Sequence, residues 1–238
     1  MLENFKSLSL IKKILVLLFL AIELVLFVLI QITEDLANRV ICFSSISLVV
    51  VFAFINFKND RSCILITLGL IFTLVADVFL VLLSPINQLL GMISFSIVQI
   101  IYFLKVHLEM QNKTLKMVHI IIRVVASAIM LLICWLVLKE KVDGVSLLSI
   151  FYITNMVLSI VFSIINERKL TLFAFALILF LMCDIVIGIQ MAVGVYFNLD
   201  SSSFIYKIVF LPFNSAWCFY LPSQVLIALN LLNNKKEN

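Results

Sequence analysis

Two aspartates lie deep inside separate apolar stretches, Asp77 in RSCILITLGLIFTLVADVFLVLLS and Asp184 in RKLTLFAFALILFLMCDIVIGIQ. Each follows an arginine, Arg61 and Arg168, by 16 residues. A carboxylate inside a membrane span costs about 2.5–3.5 kcal/mol on insertion scales, so its default reading is functional. Two carboxyls at one depth point to a shared acid–base site. In low dielectric they can divide the work, because repulsion between them keeps one protonated while the other ionises. The bland alternative for each is a packing or folding role.

The remaining polar residues within apolar text are few. Gln99 and Tyr102 are three apart and Tyr220 and Gln224 four apart, spacings that put each pair on one helix face. With Asn214 they are the candidate polar lining of a substrate site; interhelical glue is the alternative. Glu23 reads as a hydrogen bond to a neighbouring helix. Arg123 reads as a side chain that snorkels to the cytoplasmic headgroups, or else as a counter-ion to Glu23 or a phosphate contact. Asn155 and Gln190 complete the set.

Helices crossing a bilayer must position these groups. Hydrophobic residues make up 64% of the 238 and charged residues 13%, with a mean hydropathy of +1.25. A soluble domain is near half apolar and a quarter charged. Apolar runs long enough to span as helices recur throughout, and nothing alternates as a transmembrane strand would. The expectation is an all-α polytopic transmembrane bundle of eight helices forming a single domain, 1–238. Its spans fall at roughly 14–32, 38–57, 63–84, 87–107, 117–138, 145–165, 170–195 and 207–232. No room remains for a soluble catalytic domain. The first span carries Glu23 and lacks a small-residue cleavage site, so it reads as an anchor rather than a signal peptide.

Of the 17 Lys and Arg, Arg39, Lys139, Lys141 and Lys207 fall on one side, Arg123 lies within a span, and the remaining twelve fall on the other. The positive-inside rule then puts both termini in the cytoplasm. The net charge of +4 is this topology signal, and nucleic acid is not an expected partner. The expected location is a multi-pass position in a cell membrane of bacterial type. The five cysteines form no CxxC pair and read as packing residues, only Cys183 adjoining a site. His107 and His119 sit at cytoplasmic span ends with no ligand-spaced cluster, so no metal is expected, and no cofactor. The sequence sets no oligomeric state.

The third and seventh spans align at an offset of 107 residues, which pairs Arg61 with Arg168 and Asp77 with Asp184. This is compatible with a 4+4 parallel repeat, an arrangement used by transporters. At 1.5 Å per residue, both carboxyls lie about 21 Å from the inner boundary of a core about 30 Å thick, hence about 9 Å under the outer face. Asn214 reaches a similar level in the descending eighth span, where Pro212 and Pro222 interrupt the hydrogen-bond ladder and let the helix bend around a cavity.

The segment LGLIFTLVADVFLVLLSPINQLLGMISFSIVQIIYFLKV resembles the first signature of the YhhN-like lysoplasmalogenase membrane family, Gly-Leu-x-Phe-Ser-x-x-Gly-Asp followed by Gly-x3-Phe-x3-His-x2-Tyr. Gly69, Leu70, Phe72 and Asp77 match its first part, and Gly91, Phe95 and Tyr102 its second. Asp184, Tyr220 and Gln224 match the second signature, a Ser-Asp late in the seventh span and Tyr-x-x-x-Gln in the eighth. Three positions depart: Ala76 replaces the family's glycine, Cys183 its serine and Gln99 its histidine. Glutamine can hydrogen-bond but cannot exchange a proton near neutral pH.

The resemblance implies hydrolysis of the vinyl ether bond of lysoplasmalogens, with Asp77 and Asp184 catalytic and a membrane lipid as substrate. Such a bond is opened by protonation of its β-carbon and capture of the oxocarbenium ion by water, chemistry that two carboxyls suit. Which Asp is acid and which base stays open. The rivals are a proton- or cation-coupled transporter, which also uses buried carboxylates, and a non-catalytic lipid-binding protein, which Gln99 keeps open.

Overall fold

Side-chain caps start most of the helices. Ser9 Oγ accepts from Lys12 N at 3.4 Å to open α1 (Leu10–Ile32). Asp60 accepts from Cys63 N at 2.9 Å to open α3 (Arg61–Asp77), which follows α2 (Asp35–Ile55). Asn87, Asn112 and Asp143 do the same for α4 (Gln88–Glu109), α5 (Lys113–Leu138) and α6 (Gly144–Glu167). Each supplies an acceptor to an amide that the helix itself leaves unpaired. α7 (Leu172–Tyr196), the short α8 (Phe204–Val209) and α9 (Trp217–Leu229), which ends in a 3-10 turn at Asn230–Leu232, complete the chain. The computed structural model describes residues 8–196, 203–211 and 213–232. The placement expected for both termini and for Pro212 falls outside these residues.

Among the described residues seven helices are long and apolar enough to cross a bilayer, and all regular structure is helical. The chain is thus an all-α, multi-pass bundle. Long apolar side chains cover its outside, as Leu24, Ile121, Val137 and Ile187 show. In lipid that exposure carries no penalty. α4 lies centrally, packed on α3 and α6, while α7 packs on α9 and α6. These five helices carry Asp77, Gln99, Tyr152, Asp184 and Tyr220. α5 is peripheral and buries only His119, Arg123, Ser127 and Cys134.

The expected eighth span, 207–232, is not one continuous helix. α8 ends at Val209, the described residues 210, 211 and 213–216 are not helical, and the apolar helix proper is Trp217–Leu232. Pro222 sits inside α9, where it removes a backbone donor. Backbone groups freed within a membrane need partners. Gln190 on α7 supplies one by donating from Nε2 to Val209 O at 3.1 Å and to Ser215 Oγ at 3.3 Å.

The arginine echo is not an echo in structure. Arg61 is the first residue of α3, whereas Arg168 ends α6 in the left-handed conformation (φ 52°).

Candidate active site

Asp77 is the last residue of α3, where the α-helical ladder gives way to a π-helical turn, Val78–Leu82. Leu83 N closes that turn on Val78 O at 2.9 Å. Such wide turns recur at functional sites because they displace side chains from the regular helical spiral. Asp77 is only 2% exposed. Its Oδ2 accepts a hydrogen bond from Tyr220 Oη of α9 at 2.7 Å.

Asp184, midway along α7, is half-buried. Its Oδ2 accepts from Tyr152 Oη of α6 at 2.6 Å. The two carboxyls therefore have the same partner type but share no hydrogen bond, and the partners come from helices in unrelated positions of the chain. Phe180, one turn before Asp184, lies between the two phenol rings, 5.4 Å from Tyr220 and 6.2 Å from Tyr152. Phe95 of α4 packs at 5.6 Å from both Phe180 and Tyr152. Cys183 is buried beside them, within electrostatic reach of Asp184 and Asp77 alike. One aromatic cluster thus carries both Asp–Tyr pairs.

A second polar layer lies below Asp77. α3 and α4 run antiparallel, since Tyr102 packs on Gly69 while Gly91 packs on Leu80. α9 is antiparallel to α3 too, because Tyr220 meets Asp77 while the turn at Asn230–Leu232 touches α3 farther back. Thr73 and Gln224 each lie one turn along in the same direction. Gln224 Nε2 donates to Ser223 Oγ at 3.1 Å, but its Oε1 has no partner. Gln99 is fully buried with neither amide atom paired, and the Tyr102 hydroxyl points beside Thr73 without either oxygen being satisfied. A buried polar atom left unpaired costs about 1–3 kcal/mol. Four such residues in one layer form a site that water or the polar part of a ligand would satisfy. Asn214 stands apart from this layer. It is half-buried in the turn that precedes α9, its carbonyl accepting from Cys218 N at 3.3 Å.

Gly69 is required by the Tyr102 ring. A Cβ there would come within 2.9 Å of Cζ and 3.0 Å of the hydroxyl, and Phe173 holds the ring edge-on at 5.3 Å. Gly69→Ala is expected to destabilise the protein by about 1–3 kcal/mol through overpacking. Gly188→Ala, where a Cβ meets nothing within 4 Å, is neutral or stabilising by up to about 1 kcal/mol. Thermal unfolding of the two variants in one detergent checks the contrast.

The YhhN family model matches residues 38–231. The chain belongs to the YhhN family. No curated protein and no solved structure matches it. The matched stretch takes in both Asp–Tyr pairs and the unpaired polar layer, and it leaves out α1 with Glu23.

Sequence reasoning missed one residue that the structure joins to a candidate carboxyl, Tyr152. Its signal was a phenol in mid-span, since buried tyrosine hydroxyls seek a partner. Glu23 has the interhelical bond expected of it, accepting from Ser45 Oγ at 2.6 Å. Arg123 does not snorkel. It is 7% exposed and turns inward to Asn155 and Ser159 of α6. His119, expected at a span end, is fully buried against Phe162 at 4.3 Å. Among the described residues no three His, Cys, Asp or Glu side chains group as a metal would require.

Proposed function

We propose that this chain is a membrane hydrolase that opens the vinyl ether bond of lysoplasmalogen-type single-chain lipids, with Asp77 and Asp184 as its acid–base pair. The observation that carries the reading is the pair of tyrosine-held carboxyls on one aromatic cluster. Each phenol fixes one carboxyl oxygen, Oδ2, and leaves Oδ1 for proton transfer.

The chemistry then runs as follows. One carboxyl, protonated, delivers its proton to the β-carbon of the vinyl ether, and the positive charge that develops is shared between the α-carbon and the ether oxygen. The second carboxylate and the faces of the neighbouring rings stabilise that charge. Water adds to the α-carbon and gives up a proton to the carboxylate. The resulting hemiacetal collapses, with the ether oxygen leaving as the glycerol hydroxyl and the chain as a fatty aldehyde. One water is consumed and the protons balance. Gln99, Tyr102 and Gln224 line the polar layer and bind substrate or water. Gln99 contributes hydrogen bonds and no proton. Asn214, on the turn before α9, contacts the substrate nearer the membrane surface.

Purified protein incubated with an alkenyl lysolipid is expected to release fatty aldehyde and glycerophospho-headgroup in equal amounts, and to leave the acyl lysolipid of the same chain length intact. Absence of aldehyde, together with lipid or ion flux in sealed vesicles, would replace the hydrolase with a transporter.

A further inference from the structure

The inward face of α5 is polar at a spacing of four residues: His119, Arg123 and Ser127. Arg123 lies ten residues into a helix of 26, about 15 Å along the axis from its start and six residues into the expected span. Its Nη1 donates to Asn155 O at 3.2 Å and Oδ1 at 2.9 Å, and its Nη2 donates to Ser159 Oγ at 3.1 Å. Nη2 also lies 3.1 Å from His119 Nε2, which accepts only if that imidazole is neutral with its proton on Nδ1. Phe103 lies under the guanidinium at 4.6 Å. Every one of these partners is neutral. Among the described residues no carboxylate pairs with Arg123, and two buried donor positions, Arg123 Nε and His119 Nδ1, have no partner.

This cation borders a cavity of about 520 Å³ between α4, α5 and α6, lined by Ile100, Phe103, Ile120, Val124, Leu131 and Phe151. The size is that of a small-molecule site. Ile100, Ile120 and Val124 are exposed on the outer surface of the bundle, so the crevice opens sideways to the lipid chains. The polar end and the apolar walls call for one kind of occupant. Neutral dipoles lower the cost of a cation in the membrane interior but leave its charge uncompensated, whereas an anion removes that charge and offers Arg123 an acceptor.

We propose that the crevice binds a single-chain lipid with an anionic head, the head paired with Arg123 and the chain laid along the apolar walls. The site is separate from Asp77 and Asp184 and requires no hydrolysis.

The test uses the full chain in detergent with a diazirine-bearing 18-carbon fatty acid as photoprobe, competed by oleate, oleoyl lysophosphatidate or uncharged monoolein. Labelling is expected on α4, α5 and α6 around the crevice. At least one anionic competitor should displace the probe at a concentration ten-fold or more below that of monoolein. Oleate acting at the lower concentration identifies a carboxylate head, and lysophosphatidate a phosphate head. Arg123→Gln should erase the preference for charge. Ala128→Trp, at an exposed position lining the crevice, fills the space without touching the Arg123 hydrogen bonds and should abolish labelling there. It keeps the test decisive if Arg123→Gln fails to fold. Monoolein competing as well as both anions, or labelling undiminished by Ala128→Trp, overturns the proposal.

Discussion

Asp77→Asn and Asp184→Asn are each expected to cut aldehyde release by about 10²-fold or more while leaving the protein folded. The magnitude is that of a lost general acid or base. The isosteric amide makes the test selective, since an Asn carbonyl still accepts the O–H of Tyr220 or Tyr152, and both tyrosines lie at hydrogen-bond distance in the native arrangement. Packing is therefore retained and only proton exchange is lost. A merely structural role predicts the reverse, activity kept wherever the fold is kept. Groups that act as a unit are also non-additive, so the double variant should be little slower than the worse single one. Initial rates with the alkenyl lysolipid, read beside thermal unfolding of each variant, decide the matter. Near-native rates in both single variants would dismiss the carboxyl pair as catalyst.

The bundle was legible because long apolar runs leave the backbone no option in lipid except the helix. Asp77, Asp184, Tyr220 and Gln224 stood out for the same reason, since a polar group in such text has to be paired. The identity of the partner was not legible. Tyr220 meets Asp77 across 143 residues of chain, and no local spacing encodes that. Tyr152 escaped notice although Asn155 stands three residues on, the same spacing as Gln99 and Tyr102. Arg123 misled through its length. A long side chain can reach the headgroups, but here an acceptor-rich face of α6, with Asn155 and Ser159 four residues apart, lay nearer. The matching Arg–Asp spacing was a likeness of sequence only, because Asp60 caps Arg61 into a helix start while Arg168 terminates a helix. Likewise the eighth span looked continuous in hydropathy, and Gln190 holds the broken stretch from another helix.

Tyr220→Phe should slow catalysis more than Tyr152→Phe, although the two bonds differ by only 0.1 Å in length, 2.7 against 2.6 Å. The difference lies in burial. Asp77 is 2% exposed and so depends on its phenol more than Asp184, which is half-buried. A hydrogen bond to a charged group is worth about 1.5–3 kcal/mol, or roughly 10–150-fold in rate if it is made in the transition state. Tyr220→Phe is expected in that range, and Tyr152→Phe at its lower end or below. The loss should appear in kcat rather than KM, because the phenols orient carboxyls and do not hold the lipid. Adding Tyr220→Phe to Asp77→Asn should cost little more than Asp77→Asn alone, since the tyrosine then has no acid or base to orient. Equal effects of the two tyrosine variants, or a change confined to KM, would mean that these bonds only join helices. The search for the proton donor would then move to the unpaired hydroxyl of Tyr102.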